Sequence, residues 1–118
     1  MHYSVRMVNG IAIIDIDGKL LLGDGDVEIK QEVDALVAKG KRNIILNLAH
    51  CPYFDGAGLG EIIRCYTTAR KAGGDLFLLA PSQRLIDLLT VTNLAKVFSC
   101  FLTEDEALTS FSEEACRE

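Results

Sequence analysis

Two runs, NIILNLA at residues 43 to 49 and LFLL at residues 76 to 79, are too apolar to leave either side in water. A strand with one wet face alternates polar and apolar residues, whereas an unbroken apolar strand must be covered on both faces. Between the two runs Leu59, Ile62, Ile63, Tyr66 and Ala69 recur at helical spacing, and Gly73-Gly74 stops the repeat. Buried strands separated by an amphipathic helix are parallel neighbours, because parallel pairing needs a crossover. The chain is therefore expected to be α/β, with helices packed on a mixed, mostly parallel sheet.

The flanking sequence extends the pattern. Asn9-Gly10 lies between strand-like runs at 3 to 8 and 11 to 17, the usual turn of a two-residue hairpin. From Asp24 to Lys39, Ile29, Val33, Leu36 and Val37 mark a first helix with acids in its opening turn and Gly40 at its end. Pro81-Ser82 starts a helix whose inner face is Leu85, Leu88 and Leu89. A last strand is expected over Val97 to Phe101. After it Thr103 and Glu106 form a capping-box pattern ahead of Ala107, Leu108 and Phe111. The predicted order is ββαβαβαβα in a single domain spanning residues 1 to 118.

Composition narrows the functional classes. A net charge of -5, with basic residues scattered in small groups, offers no footprint for nucleic acid. No apolar run approaches the roughly 20 residues of a membrane span, and the first ten residues have no signal-peptide core, so no membrane insertion and a cytoplasmic location are expected. Cys51, Cys65, Cys100 and Cys116 form no C-x-x-C pair, and the carboxylates around Asp15-Asp17 and Asp24-Asp26 miss the calcium-loop spacing. They read instead as the polar side of a strand and as helix-start acids. His50 and Cys51 are neighbours on a strand end and should point to opposite faces, so they cannot share a proton. No metal, no cofactor and no catalytic residue is expected.

What remains is YFDGAGLGE, residues 53 to 61, where a strand becomes a helix. The carboxyl ends of strands are where ligands meet such sheets. Gly56, Gly58 and Gly60 read G-x-G-x-G and not G-x-G-x-x-G, and no Gly-Lys-Ser/Thr follows, so neither nucleotide fingerprint is met. Small residues at a helix start still leave N–H groups open to an anion, which keeps weak phosphate binding as one reading. The other is a tight turn that glycine merely permits.

From Asn43 to Phe111, the strand ending near Asp55, the Gly-Leu-Gly helix start, the Gly73-Gly74 break and the Glu-Asp-Glu-Ala-Leu segment at 104 to 108 occur in an order that resembles the STAS domains of bacterial anti-sigma factor antagonists. The resemblance covers nearly the whole chain. It implies an interaction module and not an enzyme, whose partner is an anti-sigma factor or related serine/threonine kinase-like protein. In that family the loop reads Asp-Ser-Ser/Thr-Gly and its second hydroxyl is phosphorylated. Here Asp55 and Gly58 match, but Gly56 and Ala57 stand in for the hydroxyl residues, so phosphorylation at the usual position is not expected. The family's Gly-x-Leu-Asp element is here Gly18-Lys19-Leu20-Leu21, with Asp24 as the nearest replacement acid. The resemblance places partner binding at Phe54, Asp55, Gly56, Ala57, Gly58, Leu59 and Glu61. Thr67 and Thr68 are the serine/threonine-type hydroxyls on that helix. Sensing of a nucleotide or other anion, or service as an accessory subunit of a transport system, are the alternatives.

Overall fold

A computed structural model describes residues 2–21, 26–53 and 55–117 of the 118-residue chain, without the side chains of 26 and 112–117. The expected hairpin opens it. Strand β1 (His2–Val8) pairs antiparallel with β2 (Ile11–Asp17) along its whole length, from Val8 opposite Ile11 to His2 opposite Asp17. Asn9 and Gly10, at φ 53° and 79°, both take the left-handed conformation that such a two-residue turn demands. The remaining strands, β3 (Asn43–His50), β4 (Asp75–Leu79) and β5 (Cys100–Phe101), add in sequence order, each parallel to the last.

That order decides where the helices go. Crossovers of one hand that always step to the same side leave their helices on one face of the sheet. Helices α1 (Asp26–Ala38), α2 (Gly56–Lys71) and α3 (Gln83–Val91) accordingly share a core with Ile14, Ile44, Leu46, Leu76 and Leu78. Helix α4 (Glu104–Arg117) follows the last strand, is no crossover, and covers the other face with Ala107 and Phe111 against Ile13, Ile45 and Phe77. The Phe77 and Phe111 rings stack with centroids 3.9 Å apart. The consecutive Ile44, Ile45 and Leu46 are each fully buried, with alternate residues serving the two cores. Removing each such side chain from water is worth roughly 1.5–3 kcal/mol, which is why this strand cannot sit at an edge.

The structure differs from the sequence expectation at β5. Only Cys100 and Phe101 pair with β4, where Val97 to Phe101 was expected. The apolar Phe98 is buried, but in a turn held by the Val97 and Phe98 amides donating to Leu94 C=O, with its ring 5.0 Å from that of Tyr66. Burial, not strand pairing, explains its hydrophobicity. Asp24 lies outside the described residues.

A polar network ties the hairpin to the last helix. Arg6 donates from Nε and Nη2 to the Asp15 carboxylate and from Nη2 to Glu104 Oε1 at 2.7 Å, and Asn47 Nδ2 donates to Asp15 Oδ1 at 2.7 Å. The Arg6 hydrogen bonds outweigh partial burial and, with Asn47, hold the Asp15 carboxyl below its usual range. Gly74 marks a different constraint, because a Cβ there would stand 2.1 Å from the carbonyl oxygen of Arg42.

Candidate functional site

The stretch after β3 is positioned by its own backbone. The Gly18 amide donates to His50 C=O and the Leu20 amide to Tyr53 C=O, both at 2.9 Å, so the exit of β2 and the approach to α2 are laced together. Leu20 and Cys51 are buried beneath this lacing. Lys19 and Leu21 are left flanking the surface, with Lys19 Nζ 5.7 Å from the centre of the half-exposed Tyr53 ring.

Asp55 then starts α2. In extended conformation it accepts the Gly58 N–H on Oδ1 at 2.8 Å, while its carbonyl accepts the Leu59 N–H at 3.0 Å. Its carboxylate sits where the helix dipole is positive, and Arg70 and Lys71 occupy the opposite end. One of the free helix-start N–H groups that an anion would want, that of Gly58, is therefore committed within the chain, and a negative charge stands beside it.

The expected site residues fall into two sets. Gly56 is exposed and Asp55 and Ala57 are half-buried at the surface, whereas Gly58, Leu59 and Glu61 are turned into the protein. Leu59 belongs to the helix-side core. Glu61 is 7% exposed and reaches Arg64 Nη1 at 3.3 Å across one turn. Its charge adds to the effect of burial in pushing the Cys65 thiol up to about 12. Phe54 lies outside the described residues. Gly56 and Gly60 need no glycine for the fold: neither has a left-handed φ, and a Cβ at either would meet nothing within 4 Å.

Helix α3 supplies the side of the site that the 53–61 stretch does not contain. Arg84, Asp87, Leu88 and Val91 face Asp55 and Gly56 across a cavity of about 430 Å³. Arg84 also closes a neighbouring cavity of about 330 Å³ with Lys19, Leu21, Tyr53 and Asp55. Val91 is 80% exposed, an apolar side chain with no covering group beside the bare helix start. Of these α3 residues only Leu88 was singled out in the sequence, and as part of the inner face; the only signal for the others was that Arg84, Asp87 and Val91 fall off the Leu85-Leu89 stripe.

His50, the last residue of β3, is exposed, and Cys51, in the turn just past it with its amide donating to Leu48 C=O, is buried. Thr67 donates its hydroxyl to Ile63 C=O at 3.0 Å, one turn back along α2. Among the described residues no group of three His, Cys, Asp or Glu could hold a metal, and no helix is long and apolar enough to cross a membrane.

A family model for the STAS domain matches residues 2–107. Among curated relatives, the anti-sigma F factor antagonist of Paenibacillus polymyxa is 26% identical over 111 residues, covering 92% of this chain and 95% of that protein. The crystal structure of an anti-sigma factor antagonist from Mycobacterium paratuberculosis superposes with a TM-score of 0.82 at 21% identity, over 94% of this chain and 93% of that one. The phosphorylated form of the Bacillus cell fate determinant SpoIIAA matches with a TM-score of 0.75 at 21% identity, over 92% and 98%.

Proposed function

Since the chain belongs to the STAS domain family, we propose that this anti-sigma factor antagonist-like domain docks a partner protein at the start of α2 in a permanently unmodified state. The observation that carries the reading is the bare helix start: Gly56 faces open space and is not demanded by packing, and Ala57 offers no hydroxyl. In the family to which the resemblance points, the second hydroxyl of this loop is the phosphate acceptor. Here that position is Ala57, so the surface cannot acquire the -1.5 to -2 charge that a phosphoryl group would bring, roughly, near neutral pH.

The docking surface combines Asp55, Gly56 and Ala57 with Tyr53, Lys19, Arg84 and Val91, while Gly58, Leu59 and Glu61 support it from beneath. Its partner is an anti-sigma factor or a related serine/threonine kinase-like protein. The Asp55 cap argues against nucleotide or anion sensing, since it occupies the Gly58 amide and sets a charge of the wrong sign for such a ligand at the helix start.

The test uses the partner recovered from the source cell. Ala57→Asp adds a carboxylate at a helix start, where it stabilises the fold by up to about 1 kcal/mol, so a loss of binding is not a loss of folding. Calorimetry should show at least tenfold weaker association for the variant, and intact-mass analysis of the parent protein with that partner and ATP should show no added phosphate. Unchanged affinity would remove the site from this surface, and stoichiometric phosphate on the parent protein would refute the unmodified state.

A further inference from the structure

The free margin of the sheet at β1 is the largest unpartnered backbone surface of the described residues. Seven residues long, β1 contains no proline and shows no register shift against β2, so it lacks two of the devices that blunt edge strands. In a hairpin with a two-residue turn the flanking residues Val8 and Ile11 exchange hydrogen bonds, and the alternation then commits Arg6, Ser4 and His2 inward to β2. Tyr3, Val5 and Met7 are left with N–H and C=O groups pointing out of the sheet.

These three positions are symmetric about Val5. We propose that two copies of this chain pair through β1, antiparallel about a two-fold axis at Val5, to make one continuous sheet of twice five strands. Tyr3 then faces Met7 of the other copy and Val5 faces Val5, three pairs with two hydrogen bonds each. Tyr3 and Met7 are 37% and 47% exposed, and the pairing sets each against an apolar neighbour. Arg6 meets Ser4, so no like charges oppose one another along the strand.

Helix α1 supplies the charge complementarity that selects a second copy. Glu28, Glu32 and Ala35 share one stripe of α1, which Lys39 continues in the turn just past Ala38, its amide donating to Ala35 C=O and Leu36 C=O; Ile29, Val33 and Leu36 on the adjacent stripe are buried. Glu32 and Glu28 lie close enough to Tyr3 to raise its hydroxyl pKa, after the effect of partial burial, so this stripe flanks the β1 margin. A crossover helix runs antiparallel to β2 and hence along β1. The four strand steps from Tyr3 to Met7 span about 13 Å, or about nine helical residues. The acidic end of the stripe therefore lies beside Tyr3, the exposed Lys39 beside Met7, and the small Ala35 near the axis. Antiparallel pairing brings Glu28 and Glu32 of each copy to Lys39 of the other. The acids and Lys39 form no ion pair within the described chain, which leaves them available.

The inference rests on β1 and α1 and is independent of the surface at the start of α2. Sedimentation of the full chain over a dilution series should show a reversible species of twice 12.9 kDa. Hydrogen exchange at the Tyr3, Val5 and Met7 amides should slow with concentration, while exchange at Ser4 and Arg6 should not change. Met7→Pro removes an outward N–H and leaves the β2 ladder intact, and should raise the dimer dissociation constant at least tenfold. Lys39→Glu should raise it about fivefold, with recovery when Glu28 and Glu32 are both changed to Lys. A chain that stays monomeric up to millimolar concentration overturns the proposal, as does a dimer indifferent to both Met7→Pro and Lys39→Glu, or one that protects other amides.

Discussion

Gly60 and Gly74 are two glycines with opposite reasons for being there, and exchanging each for alanine separates them. Gly60 is in the interior of α2 with helical neighbours, and a Cβ there meets nothing within 4 Å. Glycine in such a position costs about 1 kcal/mol relative to alanine, through backbone entropy. An unfolding entropy near 2.1 cal/mol/K per residue converts 1 kcal/mol over 118 residues into about 4 °C. Gly60→Ala should therefore raise the melting midpoint by about 4 °C in a calorimetric or circular-dichroism melt. Gly74 is the reverse case. Its added Cβ would fall 2.1 Å from the Arg42 oxygen and 2.5 Å from its carbon, so the entry to β3 or β4 must move. Overpacking of this kind costs about 1–3 kcal/mol, and Gly74→Ala should lower the midpoint by about 4–12 °C. If Gly60→Ala is neutral or destabilising in the isolated protein, the claim that packing does not demand glycine at this position is wrong.

Two further outcomes follow from burial and charge. Under native conditions a thiol reagent followed by peptide mapping should modify the exposed Cys100 and spare the buried Cys51 and Cys65, the latter held protonated by a pKa pushed up to about 12; labelling of Cys65 without denaturant would contradict the core placement. The Asp15 carboxyl titrates lower in the folded chain than in the unfolded one, so its contribution is present above the unfolded value of about 3.9 and is lost as pH falls through the folded value. Asp15→Asn should cost about 0.5–1 kcal/mol at neutral pH in denaturant melts, with the gap closing in acid; a gap constant with pH would show that the charge is not what Arg6 holds.

The hairpin, the crossover helices and the buried strands were legible because each rests on a local signal: Asn9-Gly10 for the turn, the unbroken Ile44-Ile45-Leu46 run for a strand covered on both faces, and Ser82 for a cap, whose hydroxyl accepts the Leu85 amide at 3.2 Å. Phe98 misled because hydrophobicity reports burial and not the geometry that achieves it. The site was legible only along one stretch of chain. Asp55 declared itself through its spacing to Gly58, but Arg84 and Val91 join it from a separate helix, and nothing local marks a residue for a neighbour some thirty positions away. Glu61 was assigned to the partner-binding surface by the resemblance; its 7% exposure reflects the helical register that sets it three residues from buried Gly58 and four from buried Cys65. The Arg6, Asp15 and Glu104 cluster was invisible for the same reason as Arg84, since it joins residues 98 positions apart.

The sheet has unlike margins, seven residues at β1 and two at β5. A protein that could recruit strands at both would add subunits without end, as fibres do. With one margin of the described sheet too short to template a neighbour, joining at the other would use up its long border, and growth would halt after a single step.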